Sequence, residues 1–114
     1  MGKRIQIKPV EALTLGFPDG TEKDVMFTTQ AMAIMDEELE GSLKILRNIV
    51  DRPHDTGSKV LYAGMKVVDP NITLADVQAL IASIGIDSLM EILEFAAESF
   101  YGSSSAALKK TTSQ

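Results

Sequence analysis

The chain has 114 residues, enough for one domain, and its 45% hydrophobic content and lack of cysteine exclude a disordered chain, a disulfide framework and a thiolate zinc site. Net charge is −5, from 11 Lys plus Arg against 16 Asp plus Glu, a balance that argues against binding nucleic acid, whose phosphates are neutralised by Lys and Arg. No apolar run approaches the ~20 residues of a membrane span, and no signal-type apolar core follows Met1-Gly2-Lys3-Arg4, so no membrane association and a cytoplasmic location are expected.

The first third reads as strands. Polar and apolar residues alternate in Arg4-Ile5-Gln6-Ile7-Lys8, the period of a half-buried strand, which Pro9 ends. Lys3, Arg4 and Lys8 read as a solvated edge. Leu13, Leu15 and Phe17 alternate with Thr14 and Gly16 in a second strand, and Pro18-Asp19-Gly20 is a turn sequence. Beyond it, Thr21 to Thr28 puts Val25 and Phe27 on one face and Asp24 and Met26 on the other. The expectation is an antiparallel β-hairpin, or a three-stranded meander if the first strand joins it.

Near Thr28 the apolar period changes from two to about 3.6. Thr29 is the expected cap of a first helix that carries Ala31, Met32, Met35 and Leu39 and stops at Gly41. A second helix is expected from Ser42 to Arg52 with Leu43, Leu46, Ile49 and Val50 inward, ended by Pro53. His54-Asp55-Thr56-Gly57-Ser58 has loop composition. The third helix is expected from Ser58 to Val68 with Val60, Leu61 and Val68 inward, closed by Asp69-Pro70-Asn71.

Thr73 and Asp76 form a short-armed capping box for a fourth helix striped by Val77, Leu80, Ile81 and Ile84. Gly85 breaks it, Asp87 can cap again, and Leu89, Ile92, Leu93, Ala96 and Phe100 stripe a fifth helix. Ser103 to Gln114 is small and polar and is expected to be a flexible tail. The organisation is thus a single α+β domain over 1–102, with about five short helices on one face of a small antiparallel sheet, and a tail over 103–114. Its core is expected to contain Leu15, Phe17, Phe27, Leu46, Ile49, Leu61, Leu80, Ile84, Leu93 and Phe100.

Little in the chain points to catalysis. The one histidine, His54, has no recognisable nucleophile or orienting partner in sequence. One His with scattered carboxylates makes no metal site, and phosphate-binding and nucleophile-elbow motifs are missing. No enzyme activity, cofactor or metal is therefore expected. Asp36, Glu37, Glu38 and Glu40 lack the ligand spacing and glycine of a calcium loop and read as a wet helix face.

Two features point toward binding other proteins. Glu91, Glu94 and Glu98 fall in one row on the last helix, where like charges cost a few tenths of a kcal/mol per pair and a basic partner would relieve them. The soft side chains Met26, Met32, Met35, Met65 and Met90 suit either a core or a surface that accepts varied apolar partners. Glu91, Glu94 and Glu98 with Met90 and Met65 are the candidate partner-binding surface. Gly64 costs ~1 kcal/mol in a helix relative to alanine, so close packing or a groove is expected there.

Taken together, the hairpin, the helix ending Met35-Asp36-Glu37-Glu38-Leu39-Glu40, the stretch Leu61-Tyr62-Ala63-Gly64-Met65-Lys66, the Asp69-Pro70-Asn71 turn, the run Thr73 to Ile81 and the Leu89-Met90-Glu91-Ile92-Leu93 helix resemble a known family. They look like the small tail assembly chaperones of long-tailed bacteriophages and prophages of Gram-positive hosts, over roughly Leu13 to Phe100. The resemblance implies a non-catalytic protein that coats the helical tape-measure protein and helps recruit tail tube protein. It also implies a longer form made by ribosomal frameshifting near the gene's end, for which the Lys109-Lys110 codons are candidates. Homo-oligomerisation is a further expectation. The alternative is a small structural subunit, of tail-completion or connector type, retained in the finished assembly.

Overall fold

The computed structural model describes residues 12–101. The expected strand Arg4 to Lys8 and the expected tail 103–114 lie outside them. Within them the chain is an α+β domain in which an antiparallel hairpin precedes five helices.

Strands β1 (Leu13–Gly16) and β2 (Glu22–Val25) pair in register from Leu13 opposite Val25 to Gly16 opposite Glu22. The turn forms as its residues dictate. Pro18 holds the first corner, Gly20 donates to the Phe17 carbonyl at 2.9 Å, and the Asp19 carboxylate accepts the Thr21 N–H at 2.9 Å. Gly20 sits at φ +90°, where a side chain would be strained. Past β2 the alternation continues, with Val25 and Phe27 buried and Asp24 exposed.

Helix α1 (Thr29–Glu38) is capped by Thr28, one residue before the expected Thr29. Thr28 keeps extended backbone angles, so its hydroxyl can turn back and accept the Ala31 N–H at 3.4 Å, whereas Thr29 is already helical. The stop at Gly41 is as read from sequence: with φ at +111° it sends its N–H back to the Met35 carbonyl, which also receives Leu39.

The segment 42–58 departs from the sequence reading. Helix α2 (Ser42–Arg47) is six residues long and ends well before Arg52. Its inward row is Ser42, Ile45 and Leu46, with Ile49 half-buried beyond it, so Leu43 and Val50 stand outside instead of inside. Pro53 does not end a helix here; it begins one, at the first-turn position where its missing N–H costs nothing. Helix α3 (Pro53–Val68) therefore takes in residues 54–58, expected as loop. Those residues are small because they are packed: Thr56, Gly57 and Ser58 are buried. The Thr56 hydroxyl donates to the Ile45 carbonyl at 3.3 Å, and the Ser58 hydroxyl to the His54 carbonyl at 2.9 Å.

At the other end of α3, Val68 is exposed, against expectation, because the inward face there runs through Leu61, Tyr62 and Met65. Helix α4 (Leu74–Ile81) carries the full capping box, Thr73 hydroxyl to the Asp76 N–H and Asp76 carboxylate to the Thr73 N–H, both at 3.1 Å. Helix α5 (Ile86–Tyr101) starts with the Gly85 carbonyl accepting from Leu89. Asp87 lies inside its first turn, so it favours the helix by charge and is not the cap expected for it.

Helix α3 is the centre of the domain, in contact with β2 and with α1, α2, α4 and α5. Two glycines permit this. A Cβ on Gly57 would lie 2.6 Å from Leu89 Cδ1 of α5, and one on Gly64 would lie 2.7 Å from Phe27 Cε1. The Gly64 carbonyl also accepts the Met26 N–H at 3.1 Å, which ties the hairpin to the helix through backbone alone. Of the expected core, Phe17, Phe27, Leu46, Leu61 and Leu93 are buried, while Leu15, Ile49, Leu80, Ile84 and Phe100 are half-buried against them. Among the described residues no helix is long and apolar enough to cross a membrane.

Candidate partner-binding surfaces

Helix α5 turns Leu89, Leu93 and Ala96 into the core, and its opposite side carries Glu91, Glu94 and Glu98, all exposed. The acidic row read from sequence is thus present on the outer face. Met90 is half-buried beside it. Met65 does not belong to this surface: it lies in α3 at 1% exposure, because the three-to-four spacing from Leu61 turns it inward. Met35 joins it in the core at 0%, whereas Met26, Met32 and Met90 are half-buried.

A second polar group ties α1 to α3. Glu38 accepts from the Tyr62 hydroxyl at 2.6 Å and from Lys66 Nζ at 2.8 and 2.9 Å, and Lys66 also lies 3.0 Å from the Tyr62 oxygen. The hydrogen bond from Lys66, then that from Tyr62, holds the Glu38 carboxyl below its ordinary pKa. The same Glu38 contact, then Tyr62, pushes Lys66 up. Sequence gave no sign of this meeting, since Glu38 and Lys66 are far apart in the chain and only the packing of α1 on α3 joins them. Lys59 likewise bridges Asp55, at 2.8 Å, and Glu40, and these two acceptors raise its pKa.

Among the described residues, shallow clefts open at two places on the surface. One, of ≈ 330 Å³, lies between the hairpin turn and the α4–α5 junction, lined by Leu15, Phe17, Pro18, Ile84, Ser88 and Ile92 among others. The other, of ≈ 350 Å³, holds Asp19, Lys23, Asp69 and Asp76. Its carboxylates serve the local backbone: Asp19 accepts from Thr21, Asp69 from Asn71 and Asp76 from Thr73. These bonds hold Asp19 and Asp76 below the usual carboxylate range. Among the described residues no group of His, Cys, Asp and Glu is arranged to hold a metal ion. His54 is exposed in the first turn of α3.

The surface that sequence reasoning missed is on α2. Leu43 is 62% exposed and Val50 is 83% exposed, with Lys44, Arg47 and Arg52 around them. A signal was available: Ser42, Ile45, Leu46 and Ile49 also fit a helical stripe, and that register leaves Leu43 and Val50 outside. Comparison with known proteins finds no matching family model, curated protein or solved structure.

Proposed function

We propose that the chain is a tail assembly chaperone of a long-tailed phage or prophage, acting in the host cytoplasm by binding the helical tape-measure protein and helping to recruit tail tube protein. The reading assigns it no catalysis, cofactor or metal, and no role on nucleic acid or membrane. One observation supports it most: the stretches that carry the resemblance are one packed unit. Leu61 to Met65 are buried in the second half of α3 with Lys66 half-buried after them, Asp69-Pro70-Asn71 makes the turn that follows, and the Thr73–Asp76 box opens α4. The α3–α4 pair so formed is in contact with the hairpin and with α1, α2 and α5 through α3.

The reading expects a long helical protein to be encoded beside the chain, and the test is co-expression of the two. The chain is expected to raise the soluble yield of that protein, to co-elute with it and to be missing from purified tails. Recovery from finished particles would favour the structural-subunit alternative, and failure to co-elute would overturn the chaperone reading. Mass spectrometry of native products, with the nucleotide sequence at Lys109-Lys110, tests the two-length expectation separately.

A further inference from the structure

The outer face of α2 has the build of an interface. Leu43, Arg47 and Val50 follow one another at spacings of four and three, so they share one side of the helix and the turn that prolongs it. That turn keeps a helical path, because Asn48 and Ile49 return their N–H groups to Ile45 and Leu46, and Arg52 returns its own to Asn48. Leu43 and Val50 are the two most exposed large apolar side chains of the described residues.

The charges around them are mostly cationic, with exposed Asp51 beside Val50 as a carboxylate among them. Lys44, Arg47 and Arg52 are three of the six Lys and Arg within residues 12–101. Among the described residues the ion pairs engage Lys59 and Lys66, and these three make none. In an otherwise acidic domain this is a local reversal of charge. At physiological salt, charges beyond ~8 Å are largely screened, so the local patch decides what approaches it.

The face is also held still. Ser42 donates its N–H to Asp36 of α1 at 2.7 Å, and Thr56 of α3 donates to Ile45 at 3.3 Å, so α2 is pinned on its inner side. A partner meeting a pre-set surface avoids the cost of ordering it. Helix α5 has the opposite build along its middle, with Leu89, Leu93 and Ala96 in the core and the carboxylates of Glu91, Glu94 and Glu98 outside.

We infer that the outer face of α2, with Leu43 and Val50 as its apolar pair, Arg47 between them and Lys44 and Arg52 at its rim, is the docking surface for an amphipathic helix whose apolar stripe is flanked by carboxylates. The apolar pair gives the contact, and the cations select the sign of the partner's flanks. The occupant's identity, a segment of the helical client, rests on the chaperone reading; the surface and the partner's charge are what is added.

The probe is a pair of labelled amphipathic peptides with the same leucine stripe, one flanked by Glu and one by Lys, titrated by fluorescence anisotropy against the full chain. The Glu-flanked peptide is expected to bind at least about tenfold more tightly than the Lys-flanked one. Its affinity should fall at least about tenfold in Leu43→Ser/Val50→Ser and in Lys44→Glu/Arg47→Glu, and stay unchanged in Gln78→Lys, at an exposed position of α4, with the melting temperature of each variant showing that it is folded. Equal binding of both peptides, a preference for the Lys flank, or undiminished affinity in the two α2 variants would overturn the inference. The same variants are then tested against the native client. A client that binds the wild type and the α2 variants alike leaves the chaperone reading standing and removes this surface. No client binding at all, with the peptide still selective for α2, overturns the chaperone reading and the occupant named from it.

Discussion

Helices α2 and α5 both mix apolar with charged residues, basic in α2 and acidic in α5, and fold to opposite ends. Each follows a glycine. In α5, sixteen residues carry the stripe over about four turns, and Leu89, Leu93 and Ala96 all face the core. In α2, six residues leave the register open, and the fold chooses Ile45 and Leu46 and rejects Leu43. A long period fixes a face by repetition, whereas a short one is fixed by its neighbours. For α2 those neighbours are Asp36 and Thr56, whose hydrogen bonds set which side turns inward.

The largest test of this contrast is truncation. Leu89 and Leu93 are 0% and 1% exposed, and replacing either with alanine is expected to cost about 2–5 kcal/mol in denaturant unfolding. A cost below ~1 kcal/mol at both sites would mean that α5 is not held by its stripe. Gly64→Ala comes next, and it asks how closely α3 must approach the hairpin. The added methyl would meet the rigid Phe27 ring at 2.7 Å, and overpacking of this kind costs about 1–3 kcal/mol even though alanine is the better helix former by ~1 kcal/mol. The penalty should shrink in a Phe27→Leu background, where the blocking ring is gone. If the penalty persists there, the glycine is needed for another reason.

Much of this was legible beforehand. The Pro-Asp-Gly turn, the Gly41 stop and the Thr73–Asp76 box are local chemistry, and each formed at or within a residue of its expected place. The stripe of α5 was legible because it is long enough to repeat; that of α4 held at Val77 and Ile81, whereas Leu80 is half-buried and the helix ends before Ile84. What failed was residues 42–58, where local signals permit two answers. Pro53 can close a helix or open one, and His54-Asp55-Thr56-Gly57-Ser58 is loop-like until small residues are needed against α2 and α5. Gly57 is there to admit Leu89, and Thr56 to reach Ile45, and neither requirement is visible without the partner helix. The acidic row was legible as a row, but the inward turn of Met65 and the outward turn of Leu43 both depended on packing.

Thr56→Val sharpens the comparison from the side of α3. The shape is nearly kept while the hydroxyl donated to Ile45 is lost, so about 0.5–1.5 kcal/mol is expected, with faster amide exchange in residues 42–50 as its local signature. No change in exchange there would mean that α2 is held by apolar contact alone. Acid titration measures a smaller effect. Asp19, Glu38 and Asp76 have pKa values lowered on folding, so each contributes stability that is present above its unfolded value, near 4, and lost as pH falls through its folded one. Stability should therefore decline below about pH 4, and Glu38→Gln should soften that decline. A proton-coupled NMR titration that found all three at ordinary values would remove the effect.

The smallest expected change is also the one that bears most directly on what α2 is for. Leu43→Ser and Val50→Ser alter residues that are 62% and 83% exposed, so little apolar surface leaves the core when they are replaced. Surface substitutions of this kind shift stability by no more than about 0.5 kcal/mol in either direction, against the several kcal/mol expected at Leu89 or Leu93. Val50 lies beyond the last turn of α2, where a β-branched side chain gains nothing from helix packing, and Leu43 is in its first turn with the charged Lys44 beside it. Replacing both should leave the denaturant midpoint almost where it was and should raise the solubility of the free protein, since two apolar groups leave the surface. Equilibrium unfolding of the double variant settles the point. A loss above about 1.5 kcal/mol would mean that these side chains are buried in solution, by the rest of the chain or by another copy of it. An unchanged midpoint would show that the fold does not need them, and that the reason for two large apolar residues among three cations must be sought outside the domain.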